Sequence, residues 1–201
     1  IITAVACFHY FRMSELYIEQ VASLFDANGN RIEGAEIGKF PTAYRYIDWL
    51  ITVPLLVLEI PLLLNLKGRG GNLFRTLVGA SIVMLVFAWI AEESAVGGAS
   101  WWINYLISCA AWLYIVFVLY TKASSEMKNA PPSIQKAIRI LRLFILVGWT
   151  IYPVGFLMAL IGPAGESIRE MCYNVADVIN KVFFGLVCYQ GVKALTGSDE
   201  G

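Results

Sequence analysis

Five apolar runs, each of about 20 residues or more, alternate with short polar stretches along most of the chain. A run of that length can cross the hydrocarbon core of a bilayer as a helix. The pattern predicts membrane helices over 42–66, 73–95, 101–122, 134–161 and 166–195. A shorter apolar segment, IITAVACFHYFRM at 1–13, opens the chain in mid-run, with neither a Met nor a basic leader before it. That argues against a signal peptide, and the N-terminus reads as cut inside a further span. The polar stretch 18–40 carries DANGN at 26–30, a hairpin signal that predicts a short β-ribbon.

Composition agrees with the pattern. Of 201 residues, 58% are hydrophobic and only 15% charged, against about 25% charged in soluble domains. The prediction is one all-α membrane domain over 1–201. Fifteen basic residues balance fifteen acidic ones, which removes a bulk electrostatic case for nucleic-acid binding and leaves charge asymmetry between faces open. Four cysteines, at 7, 109, 172 and 188, form no CxxC pair and sit in apolar runs. They read as buried thiols, and neither a disulfide framework nor a metal site is predicted.

Loop charges set a direction, because short cytoplasmic loops collect Lys and Arg. Lys67, Arg69 and Arg75 lie in 64–76 without an acid, and Lys122, Lys128, Lys136, Arg139 and Arg142 outweigh Glu126 in 121–142. The stretch 14–40 is acidic (Glu15, Glu19, Asp26, Glu33 and Glu36 against Arg31 and Lys39), and 92–100 holds Glu92 and Glu93 with no base. Basic and acidic loops alternate, as single crossings require. The loops 64–76 and 121–142 and the C-terminus are therefore predicted cytoplasmic, and 18–40 extracellular.

Arg45, Asp48, Glu59, Asp177 and Lys181 sit inside predicted spans. A charge at a helix centre costs about 2.5–3.5 kcal/mol, so such groups mark ion paths or ligand counter-ions unless they form a helix–helix salt bridge. Asp48 and Glu59 are eleven residues apart, about three turns or roughly 16 Å along one face, with Thr52 on that face near Asp48. Two carboxyls on one line, one towards each side, suit a proton relay. Lys181 lies far from any basic loop, and Asp177 is one turn before it. A desolvated amine there can form a Schiff base with an aldehyde or ketone. Trp49, Trp149, Tyr152 and Tyr173 cluster near that level, as core packing or as walls for a flat apolar ligand. Pro54, Pro61 and Pro153 interrupt spans and permit kinks. These residues leave open an ion path through Asp48, Glu59 and Lys181 and a carbonyl ligand held on the amine.

RYIDWLITVPLLVLE at 45–59, WWINYLISCAAWLY at 101–114, GWTIYPVG at 148–155 and YNVADVINKVFFGL at 173–186 closely resemble the microbial rhodopsins, and within them the proteorhodopsin branch. The resemblance covers essentially the whole chain. It implies a seven-helix transmembrane bundle, of which the first helix would be missing here and 1–17 would be the remnant of the second. It implies all-trans retinal bound as a protonated Schiff base at Lys181, with Asp48 as counter-ion and proton acceptor and Asp177 as second counter-ion. Glu59 matches the cytoplasmic proton donor, Arg45 the arginine that steers proton release, and His9 the histidine that pairs with the acceptor aspartate. Trp49, Thr52, Leu56, Met84, Ser108, Trp112, Trp149, Tyr152, Pro153 and Tyr173 match retinal-pocket positions. Leu56 stands at the family's colour-tuning position, where Leu resembles green-absorbing members and Gln blue-absorbing ones. The triplet Asp48, Thr52 and Glu59 resembles outward proton pumps; sodium pumps carry Asn, Asp and Gln there, and chloride pumps lack the acceptor carboxylate. Members with a carotenoid antenna leave a gap at a Gly of the fifth helix, where this chain has Tyr105. The implied protein is a light-driven outward proton pump rather than an enzyme; the alternatives are a sensory photoreceptor that signals to a partner protein and an ion transporter without a chromophore. It would lie in the lipid of a bacterial inner membrane, as a pentamer or hexamer of itself, with no nucleic-acid partner.

Overall fold

The computed structural model describes residues 1–35, 41–64 and 70–196. Glu36 and Lys39 of the acidic loop, Lys67 and Arg69 of the basic loop, and the tail from 197 lie outside the described residues. The helices are α1 (Ile2–Ala22), α2 (Thr42–Leu63), α3 (Gly70–Glu93), α4 (Ala99–Met127), α5 (Pro132–Leu143), α6 (Ile151–Leu157), α7 (Pro163–Asp177) and α8 (Phe184–Thr196). A π-helical turn, Phe144–Gly148, joins α5 towards α6; a 3₁₀ turn, Met158–Ile161, follows α6; a second π turn, Val178–Phe183, joins α7 to α8. The described residues thus hold six helical rods, five of them long and apolar enough to cross a membrane. The chain divides into two compact units, Ile1–Thr52 and Val53–Gly201.

In the first unit, α1 runs to Ala22 and not only to 17. The stretch SELYIEQVA after Met13 is made mostly of residues that tolerate a helix well, and no Gly or Pro interrupts it. Among the described residues, the predicted β-ribbon is reduced to one antiparallel bridge, Phe25 with Arg31. The Asp26 side chain is the reason: its Oδ1 accepts the backbone N–H groups of Asn28 and Asn30, both at 2.8 Å, and closes the chain into a tight turn. The same bond from the Asn30 N–H holds the Asp26 carboxyl below its ordinary range.

In the second unit, α3 and α4 form an antiparallel pair, and α5 packs on α8. Trp101 of α4 is buried against Ala91 and Phe156. Pro153 accounts for the irregular backbone before it. It has no N–H to give the Trp149 carbonyl, which accepts from Tyr152 instead at 3.1 Å, while the Trp149 N–H reaches back five residues to Phe144 at 2.9 Å. The thiols also differ from the prediction. Cys7 is exposed and the other three are half-buried, because an outward position on an apolar helix needs no core to hold a small thiol.

The connection from the 3₁₀ turn into α7 is tight. Gly165 is buried, and a Cβ there would overlap the backbone carbonyl of Met158. Backbone cannot swing aside as a long side chain can. Gly165→Ala is therefore expected to cost about 1–3 kcal/mol of unfolding free energy, read as a lower thermal midpoint in detergent. An unchanged midpoint would mean that this connection has room to spare.

Candidate functional site

The helical period places Asp177 and Lys181 four residues apart on one face, across the junction of α7 and the second π turn. Lys181 Nζ donates to Asp177 Oδ2 at 2.8 Å, and both side chains are 3% exposed. The other carboxylate oxygen, Oδ1, accepts the Tyr152 hydroxyl at 2.6 Å. The carboxylate is thus held from both sides, with charged or short hydrogen bonds of the strong kind. Tyr152 lies against Tyr173, ring centroids 5.9 Å apart, and Tyr173 and Trp149 are buried. The pair is neither a surface ion pair nor able to reach water, so its amine is set apart from every other described lysine, all of which are exposed.

Two hydrogen bonds that the sequence reading did not foresee lock this backbone. Asn180, 1% exposed, donates through Nδ2 to the Gly148 carbonyl at 3.1 Å and so ties the second π turn to the first. Gly148 has to be glycine for that approach, since a Cβ would overlap Asn180 Oδ1. Trp112 donates through Nε1 to the Ile145 carbonyl at 2.9 Å, so the first π turn is fixed from α4 as well. π turns of this kind gather at functional sites, where they re-aim a side chain.

The remaining pocket candidates of the second unit are placed as follows. Ser108 donates to the Met84 carbonyl at 2.8 Å, which joins α4 to α3. Leu56 is 2% exposed on α2, and Pro153 is half-buried. The Pro153 carbonyl lies 3.4 Å from the Tyr105 hydroxyl that points to it. Tyr105 is stacked on both Trp101 and Phe156, at 5.8 and 5.2 Å between centroids, so its place is filled with packed rings. Glu59, half-buried on α2, accepts the Cys188 thiol of α8 at 2.7 Å. Sequence reasoning set Cys188 aside as a thiol in an apolar run. The available signal was its position seven residues, about two turns, beyond Lys181.

The first unit holds the other candidates. Asp48, Arg45 and Thr52 are fully buried, and Trp49 is nearly so. Thr52 Oγ1 donates to the Asp48 backbone carbonyl at 2.8 Å, as a hydroxyl one turn on readily does. The Arg45 guanidinium stands over the Tyr10 ring at 5.7 Å, a cation–π contact between α2 and α1. Tyr46 meets Trp49 edge-on at 5.1 Å. His9 Nδ1 donates to the Val5 carbonyl at 2.9 Å and lies 3.8 Å from Asp48 Oδ1. The first distance is a hydrogen bond and the second is not, so the ring's polar contact is local while its charge, when protonated, sits beside the carboxylate.

A buried primary amine with a fixed carboxylate, near stacked and hydrogen-bonded aromatic rings, suits an apolar carbonyl compound condensed on nitrogen. The chain is 35% identical over 193 residues to the green-light absorbing proteorhodopsin of Gamma-proteobacterium EBAC31A08, covering 94% of this chain and 70% of that one. The crystal structure of Exiguobacterium sibiricum rhodopsin matches with a TM-score of 0.81 at 39% identity, over 98% of this chain and 80% of that one. Xanthorhodopsin, described as a light-driven ion pump with dual chromophore, matches with a TM-score of 0.80 at 26% identity, over 99% and 79%. Residues 1–195 match the family of bacteriorhodopsin-like proteins, and the chain belongs to that family, the microbial rhodopsins.

Proposed function

We propose that the protein is an outward, light-driven proton pump that carries all-trans retinal on Lys181. The observation that carries the reading is the buried Lys181–Asp177 pair, closed by Tyr152. Bound as a protonated Schiff base, retinal supplies visible absorption and a light-driven reorientation of the nitrogen's proton. The chain's own residues do the rest. Lys181 Nζ holds the group and the transported proton. Asp177 keeps the positive nitrogen neutralised as second counter-ion, its orientation set by the Tyr152 hydroxyl. Trp49, Thr52, Leu56, Met84, Ser108, Trp112, Trp149, Pro153 and Tyr173 serve as walls of the pocket. Asp48 acts as counter-ion and accepts the proton on its carboxylate, with His9 adjusting how tightly it is held and Arg45 steering its release. Glu59, on the inner side, then returns a proton to the nitrogen and refills from the cytoplasm. Direction comes from the asymmetry between an outer acceptor and an inner donor.

The basic loops 64–76 and 121–142 and the C-terminus are read as cytoplasmic, which makes the acidic side outer. The six rods correspond in this reading to helices two to seven of a seven-helix bundle in a bacterial inner membrane. Self-assembly as a pentamer or hexamer belongs to the same reading. Leu56 supports green absorption, and xanthorhodopsin's description as an ion pump supports transport over signalling.

Glu59→Gln tests the donor. Loss of an acid–base group from a proton transfer costs about 10²–10⁴-fold, so flash spectroscopy is expected to find the last phase of recovery slowed by at least tens of fold, and restored by azide. An unchanged recovery removes Glu59 as donor and turns the reading towards a photosensor.

A further inference from the structure

Taking Glu59 as the proton donor, we propose that Cys188 is a positioning residue for it, its thiol deciding which carboxyl oxygen carries the proton and stabilising the carboxylate once that proton has left. The Cys188 Sγ to Glu59 Oε2 bond, 2.7 Å, joins α8 to α2 across 129 residues of sequence, so it is set by tertiary packing and not by helical proximity. Among the described residues it is the one side-chain hydrogen bond in which either group takes part. Leu56, one turn before Glu59 on α2, and Phe184, one turn before Cys188 on α8, are both buried and apolar.

A thiol has one S–H to donate and is a weak acceptor. With the S–H directed at Oε2, the acidic proton of Glu59 sits on Oε1. Rotation of the carboxyl, which would exchange the two oxygens, breaks the bond. When Oε1 gives up its proton to the Lys181 nitrogen, the group left behind is a carboxylate. Its bond from the S–H then becomes charge-assisted and stronger than the neutral bond it replaces. The thiol therefore favours the emptied donor over the filled one, and it does so without itself losing a proton. The cycle closes when a proton from cytoplasmic water returns to Oε1.

The test uses Cys188→Ala, which deletes the donor, and Cys188→Ser, which restores an O–H of similar reach. In the retinal-free chain, infrared spectroscopy reads the carboxyl C=O stretch of Glu59, assigned as the band that Glu59→Gln removes. Cys188→Ala is expected to raise that frequency, and Cys188→Ser to leave it at or below the starting value. In the retinal-loaded protein, Cys188→Ala is expected to slow the Glu59-dependent recovery by about three- to tenfold, the net worth of one ordinary hydrogen bond. Cys188→Ser should recover the wild-type rate to within about twofold. A C=O band that stays put in Cys188→Ala, or a rate lost equally in Ala and Ser, overturns the proposal. Absence of any band removed by Glu59→Gln overturns the donor reading itself, and the two failures are thereby told apart.

Discussion

Lys181→Ala is expected to yield a chain that acquires no visible absorption band when retinal is added, however long the incubation. Condensation needs a primary amine inside the pocket, and the other described lysines, Lys122, Lys128, Lys136 and Lys193, are exposed. The substitution also strands a charge. Asp177 is 3% exposed and loses the Nζ partner at 2.8 Å, while its bond from the Tyr152 hydroxyl stays. Removing one member of a buried ion pair costs about 3–5 kcal/mol, so the thermal midpoint of the variant should fall as well. Lys181→Ala combined with Asp177→Asn should regain much of that stability and still remain colourless. This separates the two roles of the lysine, because stability follows the charge balance and colour follows the amine. Normal colour in Lys181→Ala would refute the assignment of the attachment site.

Asp48→Asn is expected to abolish light-driven proton export while leaving a coloured protein. Asn keeps the shape of the buried side chain and its hydrogen-bonding capacity, so the Thr52 bond to the residue 48 carbonyl survives. What Asn lacks is a site that takes a proton. It also lacks the negative charge that stabilises a protonated nitrogen in the dark, which shifts the absorption to the red. Spectroscopy and pH recording on the same preparation check both statements. Continued acidification of a suspension of Asp48→Asn cells would rule out Asp48 as acceptor.

Much of this was legible in the sequence because membrane helices follow simple rules. A run of about 20 apolar residues has few alternatives to a helix in lipid, and the five predicted spans correspond to the five helices long and apolar enough to cross. The Lys181–Asp177 contact was legible because a spacing of four residues on a helix puts two side chains together whatever surrounds them. Three features were not. The length of α1 was underestimated because its outer half is polar, and hydropathy says nothing about a helix that continues past its apolar end. The π turns at Phe144–Gly148 and Val178–Phe183 shift the register within an otherwise ordinary helical pattern, and their partner contact, Asn180 to Gly148, spans two rods. Cys188 escaped because a lone thiol in an apolar run looks the same whether or not a carboxyl from another helix faces it. In each case what was missing is tertiary, a contact or a continuation that no local window contains.

The central claim is that a buried amine holds a pigment whose excitation moves protons out of the cell. Illumination of a cell suspension expressing the chain with added retinal, followed by a pH electrode, tests it most directly. The account predicts acidification of the medium that begins with light, stops in darkness, disappears with a protonophore and is missing without retinal. A coloured, retinal-loaded protein that gives no protonophore-sensitive change in pH would contradict it.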